Sequence, residues 1–215
     1  MTTFLMIRHG ESEANRGRVF AGHMDAALQD RGLEQAKRTA EYIVRTYCVD
    51  AVYASDLRRA YDTGKCVAEL LGLPVIADRD LREIDAGEWE GVKFDELVKR
   101  FPEDYGVWLH DIGHARCTGG ESVAHLGERV RGALLRMAAE NDGKTVVVAT
   151  HATPIRVMQC LVQARELARM KDIPWVSNAS VSVLTYDQKT GEWAFSLVSE
   201  DAHLGDMRTT FAKNV

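Results

Sequence analysis

Short apolar runs along the chain alternate with stretches in which apolar residues recur every three or four positions. The runs predict buried strands at 4–7, 51–54, 74–76 and 145–149. The last of them, T-V-V-V-A, is β-branched and does not alternate with polar residues, which is typical of a strand covered on both faces. The helical spacing predicts helices at 30–47, 56–71, 123–139 and 154–162.

The last part of the chain carries two further predicted strands. They lie near Ser180–Tyr186 and Glu192–Val198, and the polar segment between them predicts a hairpin. Because strands and helices alternate before them, we expect an α/β fold: a three-layer αβα sandwich whose sheet is mostly parallel, with an antiparallel edge strand. No linker is evident, so we expect residues 1–215 to form one domain. An irregular excursion at about 91–119, which contains several aromatic residues, is expected to cover a substrate.

Composition narrows the class of protein without naming a function. The 215 residues suit one α/β unit, and the net charge of −5 argues against a nucleic-acid partner. The four cysteines are scattered and form no C-x-x-C, which is typical of free thiols in a reducing compartment. The first residues have no basic segment before an apolar one, and no apolar run has membrane-spanning length. We therefore expect a cytoplasmic protein with no membrane partner.

Polar residues gather where the predicted parallel strands end. Arg8 and His9 follow the first strand, and His151 follows the valine-rich one. Ser55, predicted to cap the next helix, and Arg59 follow the second strand. Ligands of such sheets bind beyond the carboxyl ends of the strands, and a helix N-terminus there favours phosphate. Each residue alone fits a purely structural role, but their coincidence at one edge indicates a site.

Several carboxylates lie in the glycine-punctuated segment 81–91, L-R-E-I-D-A-G-E-W-E-G. Any of them could serve as a general acid or base, and the residue types alone do not choose between them.

Taken together, these segments resemble the histidine phosphatase superfamily, which includes the cofactor-dependent phosphoglycerate mutases. The segment R-H-G-E-S-E-A-N at 8–15 looks like the family's R-H-G-[EQ]-[ST]-x-x-N signature. Five further motifs follow in the family's order: G-H-M-D-A-A-L at 22–28 with Gly32, S-D-L-R-R-A-Y-D-T at 55–63, the carboxylate segment 81–91, G-G-E-S at 119–122 and V-A-T-H at 148–151. The resemblance spans nearly the whole chain.

The resemblance implies a metal-independent phosphohydrolase that needs no cofactor and acts on a small phosphorylated metabolite. It implies that His9 attacks phosphorus and becomes a phosphohistidine. Glu83 would protonate the leaving alkoxide and then deprotonate the hydrolytic water. The remaining implied site residues hold the phosphoryl group: Arg8, Arg59 and His151, which also count as catalytic, with Asn15, Ala21 and Gly22.

Three alternatives remain beside this interpretation. A phosphoglycerate mutase would need a longer excursion with paired basic residues, which the short segment 91–119 lacks. A metallohydrolase would use His9 and His151 with the cluster His110, Asp111 and His114. A non-catalytic binding protein would have lost a residue of the site. The physiological substrate stays open, as does the oligomeric state, for which we allow a homodimer.

Overall fold

A computed structural model describes residues 1–163 and 166–209. One six-stranded sheet has the order β3-β2-β4-β1-β5-β6. Its first four strands are parallel, whereas β5 runs antiparallel to β1 and β6 antiparallel to β5. This arrangement confirms the predicted mostly parallel sheet with an antiparallel edge. The strands are β1 (Thr2–Arg8), β2 (Ala51–Ala54), β3 (Val75–Ala77), β4 (Thr145–Thr150), β5 (Val181–Asp187) and β6 (Glu192–Glu200).

Helices cover both faces of the sheet. Because successive side chains of a strand point to opposite faces, β1 contributes to two cores. Leu5 and Ile7 are buried in a cluster with residues of α2 (Asp30–Thr46) and α3 (Arg58–Leu71). Phe4 and Met6 belong to a second cluster with residues of α6 (Val123–Glu140) and α7 (Ala152–Gln163). The result is the predicted three-layer sandwich.

The excursion consists of loops and short helices. It contains α4 (Phe94–Arg100) and α5 (Pro102–His110), and Pro102 occupies the first turn of α5, where its missing N–H costs nothing. These helices bury Trp89, whose ring lies 5.5 Å from that of Phe20 and 5.9 Å from that of Trp108. Aromatic packing therefore holds the excursion against the mouth of the strand-end cleft.

Three local features differ from the sequence predictions. α3 begins at Arg58 with Leu57 as its N-cap and no side-chain cap, so the capping role expected of Ser55 is wrong. α7 begins at Ala152, immediately after the second histidine, rather than at Pro154. A short helix that the periodicity misses, α1 (Glu13–Gly17), is closed by a capping box between Ser12 and Asn15.

Among the described helices, none combines the length and apolar character needed to cross a bilayer.

Candidate active site

A cleft of about 630 Å³ opens at the carboxyl ends of β1, β2 and β4. All but one of the site residues expected from the sequence line it, and the exception, His151, lies buried behind His9. The lining residues are Arg8, His9, Ser12, Asn15, Val19, Phe20, Ala21, Gly22, Arg59, Glu83, Phe94, Tyr105, Trp108, Ala152, Thr153 and Trp175.

The imidazole of His9 is oriented by the backbone that follows it. Its Nδ1 lies 2.7 Å from the carbonyl oxygen of Gly10, which can only accept, so Nδ1 carries the proton and Nε2 presents a lone pair. Burial lowers the pKa of His9 well below 6.5, and the nearby charges of Arg59 and Arg8 lower it further. His9 is therefore a neutral imidazole whose Nε2 is unprotonated.

His151 packs against His9, with 5.1 Å between the ring centroids. Its Nε2 lies 2.9 Å from the hydroxyl oxygen of Ser55, which also accepts a hydrogen bond from the amide of Leu57. Burial lowers the pKa of His151 well below 6.5, and the charge of Arg59 adds to this effect. Its Nδ1 is buried and has no hydrogen-bond partner among the described residues. In the neutral tautomer whose Nε2 accepts from the Ser55 hydroxyl, Nδ1 carries the proton and can donate to an oxyanion.

Two buried guanidinium groups flank the histidines. Arg8 donates from Nη1 to the carbonyl of Val176 at 2.6 Å. Arg59, in the first turn of α3, donates to the carbonyls of Met24 and Gly22, each at 2.8 Å. Burial lowers the pKa of each guanidinium to about 10. The negative charge of Glu83 raises both pKa values and so opposes part of this effect. Both therefore stay cationic at neutral pH, and the cleft offers two positive charges to an anion.

Glu83 supplies the carboxylate of the cleft. Its Oε1 accepts from the amide of Ile84 at 2.9 Å, and its Oε2 accepts from the amide of Thr153 at 3.3 Å, in the first turn of α7. The carboxylate lines the same cleft as the two arginines, close enough for its charge to act on both, and it can exchange a proton with a ligand bound there.

Asn15 and the 21–22 turn complete the lining. The Oδ1 of Asn15 accepts from the amide and the hydroxyl of Ser12 and from Nδ2 of Asn178, so its own Nδ2 is the polar end that can face a ligand. Gly22 has a φ of +50°, and a Cβ there would lie 2.5 Å from that of Ala86, so only glycine fits.

Sequence reasoning missed Asn178 and Trp175. Asn178 is fully buried, and its Nδ2 also donates to the carbonyl of His9 at 2.9 Å. It reaches the site because β5, being antiparallel, begins at the edge where β1 ends. Its position two residues before the predicted strand was the available signal. Trp175 forms one wall of the cleft, and the guanidinium of Arg156 lies 4.3 Å from its ring centroid.

Of the residues of the metal-site alternative, His9 and His151 lie together, but His110 and His114 do not join them. His114 contacts the carboxylate of Asp111 at 2.9 Å on the surface, and neither His110 nor His114 lines the cleft. Across residues 1–163 and 166–209, no group of three or more His, Cys, Asp or Glu side chains is placed to hold a metal ion.

Comparisons with known proteins agree with this geometry. Residues 4–199 match the histidine phosphatase superfamily (branch 1). Phosphoserine phosphatase 1 of Hydrogenobacter thermophilus is 34% identical over 189 residues, which are 88% of this chain and 89% of the relative. A metal-independent phosphoserine phosphatase of Arabidopsis thaliana is 31% identical over 211 residues, 96% of this chain and 85% of the relative.

The fold is shared with solved structures as well. Bacillus stearothermophilus YhfR superposes with a TM-score of 0.89 at 24% identity, over 95% of this chain and all of that one. The chain therefore belongs to the histidine phosphatase superfamily and is an enzyme that hydrolyses phosphomonoesters.

Proposed function

We propose that His9 is the nucleophile. In this mechanism its Nε2 attacks phosphorus in line as the bond to the alcohol oxygen breaks, and the phosphoryl group becomes bonded to His9. The observation that carries the proposal is the hydrogen bond between His9 Nδ1 and the Gly10 carbonyl, because it leaves Nε2 unprotonated. The depressed pKa of His9 keeps it so under mildly acidic conditions.

We assign the phosphoryl oxygens to Arg8, Arg59, His151 and Asn15, with the backbone of Ala21 and Gly22 closing the cradle. Two cations and neutral donors match the charge that spreads over the equatorial oxygens during transfer. Protein cations supply the charge that a metal ion provides in other phosphoryl-transfer sites, which supports a metal-independent reaction.

Glu83 is proposed as the general acid and base. It gives its proton to the leaving oxygen while the P–O bond breaks, and the alcohol departs neutral. The resulting carboxylate then takes a proton from the water that attacks the phosphohistidine, which restores both Glu83 and His9 and releases phosphate.

The outer cleft indicates the class of alcohol. Its walls are Val19, Phe20, Phe94, Tyr105, Trp108 and Trp175, and the two arginines are the only guanidinium or ammonium groups among the described lining residues. We propose a small phosphomonoester with an uncharged, partly apolar alcohol. The second candidate is phosphoserine, which is favoured by the names of the two relatives.

The first experiment compares hydrolysis of p-nitrophenyl phosphate by the EDTA-treated wild type and by His9→Ala. We expect the wild type to keep full activity without metal, and His9→Ala to lose at least about a thousandfold in activity. Wild-type enzyme quenched during turnover should carry an acid-labile phosphoryl group on His9. Activity in folded His9→Ala, or activity lost with EDTA, would refute the mechanism. The rates of hydrolysis of benzyl phosphate and phosphoserine then distinguish the two substrate candidates. Interconversion of phosphoglycerates, starting from 3-phosphoglycerate, tests the mutase alternative.

We also propose a cellular location and an oligomeric state. The free cysteines Cys48, Cys66, Cys117 and Cys160 support a cytoplasmic location. A homodimer stays a prediction, which the molar mass from light scattering would decide.

A further inference from the structure

One arginine of α6 donates hydrogen bonds to the backbone of the segment that carries Glu83. Arg129 donates from Nη1 to the carbonyls of Asp80 and Arg82, both at 2.9 Å. Its Nη2 donates to the carbonyl of Glu83 itself at 2.7 Å. Three carbonyl oxygens of one short segment thus converge on a single guanidinium group.

Glu121, from the G-G-E-S motif, completes this arrangement. Its two carboxylate oxygens accept from Nε and Nη2 of Arg129, both at 2.8 Å, so the pair is bidentate. Glu121 also bonds through its backbone amide to the carbonyl of Asp85 at 2.8 Å, and its Oε2 accepts from the amide of Asp85 at 3.2 Å. The segment from Asp80 to Asp85 is therefore bound along its length by two side chains outside the cleft.

Burial and chemistry suit this pair to a positioning role. The side chains of Arg129 and Glu121 are 17% and 8% exposed, so little solvent competes for their bonds. A guanidinium group has five N–H donors in a fixed plane, and Arg129 makes five hydrogen bonds. Lysine could not reproduce that geometry.

We propose that Arg129 and Glu121 are positioning residues that hold the Glu83 carboxyl group where it protonates the leaving oxygen. The proposal rests on the acid role of Glu83 given above. The carboxylate itself has two hydrogen bonds, to the amides of Ile84 and Thr153, and the second is long at 3.3 Å. Its location therefore depends on the backbone beneath it, and a shift of about 1 Å is enough to lower a proton-transfer rate strongly.

The test compares two substrates of similar shape. The p-nitrophenolate ion leaves without a proton, whereas the alkoxide of benzyl phosphate needs one, so the ratio of the two kcat/KM values reports the acid. For Arg129→Gln we expect kcat/KM for benzyl phosphate to fall on the order of tenfold to hundredfold. The value for p-nitrophenyl phosphate should fall less than about threefold. Glu83→Gln, measured beside it, should show the same selectivity with a larger loss.

A matched control lies on the same helix. Arg136 contacts the carboxylates of Asp78 and Asp80 at 3.2 and 2.7 Å, is 54% exposed and has no bond to Glu83. Arg136→Gln should leave both kcat/KM values within about twofold of the wild type, because an exposed ion pair contributes little. It controls for the loss of one arginine from this side of α6.

The outcomes separate the two proposals. If Arg129→Gln loses activity equally on both substrates, or on neither, while Glu83→Gln is selective, the positioning proposal is wrong and the acid role stands. If Glu83→Gln is itself unselective, both are wrong, although phosphohistidine formation on His9 is unaffected. Should Arg129→Gln not fold, Glu121→Gln, which keeps the side-chain volume and one acceptor oxygen, is measured by the same ratio and decides the question.

Discussion

At the scale of single residues, the site depends on histidines that burial keeps neutral. His9 and His151 are 5% and 0% exposed, and each lies near the charge of Arg59. Protonation of either ring would add a cation to a buried region that already holds two guanidinium groups. The same cations that would attract a phosphate dianion therefore keep His9, the proposed nucleophile, in its neutral form.

We predict that the ring of His9 stays neutral at pH 5.5 in the ligand-free enzyme. An unperturbed histidine, with a pKa near 6.5, would be mostly protonated there, whereas the pKa of His9 lies well below that value. Nitrogen NMR shifts of labelled histidine, assigned with His9→Ala, measure the protonation state. A midpoint at or above pH 6.5 for His9 would contradict the electrostatic account.

At the scale of elements, close backbone contacts join the loop that carries His9 to α2, in addition to the side-chain contacts of Gln35 and Arg31 with Glu11. A Cβ on Gly32 would lie 2.0 Å from the carbonyl oxygen of Glu11, and one on Gly10 would lie 2.2 Å from that of Gly32. Both close neighbours are backbone atoms, which cannot rotate away. The start of α2 is therefore a rigid support for the loop that carries His9.

We expect Gly32→Ala to destabilise the enzyme by about 1–3 kcal/mol and to lower kcat, because the new methyl group must displace the loop. Urea unfolding and p-nitrophenyl phosphate hydrolysis measure the two effects. Gly132→Ala is the control: its Cβ would meet no atom closer than 3.9 Å in the middle of α6, and alanine favours a helix by about 1 kcal/mol. Equal stability of the two variants would show that the close contact is not rigid.

Most strands and several site residues could be predicted from the sequence, whereas contacts between distant segments could not. Period and strand length located the buried strands, and the motif matches placed His9, Arg59 and Glu83 near one edge. Ser55 was misassigned because its hydrogen-bond partner, His151, lies 96 residues away, and a local pattern favours a local cap. Trp175 and Arg129 were missed for the same reason: their roles are defined by contacts between distant segments.

At the scale of the whole molecule, two neutral buried histidines make stability depend on pH. In the unfolded chain each would bind a proton below its ordinary pKa of 6.5, while the folded state binds none until well below it. The unfolded state thus holds more protons in that interval, so the free energy of unfolding falls as pH falls.

We expect the wild type to lose about 2 kcal/mol of unfolding free energy between pH 6.5 and pH 5.5, since each histidine contributes up to about 1.4 kcal/mol per pH unit. His9→Ala should lose roughly half as much over the same interval. Urea denaturation at the two pH values gives both numbers. A pH-independent free energy in the wild type would mean that these histidines titrate alike in both states.

The strand order determines when the central strand of the sheet can pair during folding. β1 is synthesised first, yet both of its neighbours, β4 and β5, come from residues 145–187. Both edges of β1 therefore stay unpaired until residues 145–187 have been synthesised. Pairing across such a separation closes a large loop at an entropic cost, which slows folding and leaves an apolar segment exposed meanwhile. The hydrogen bond from Asn178 to the carbonyl of His9 joins the same two distant segments, so this part of the site also forms only after they have come together.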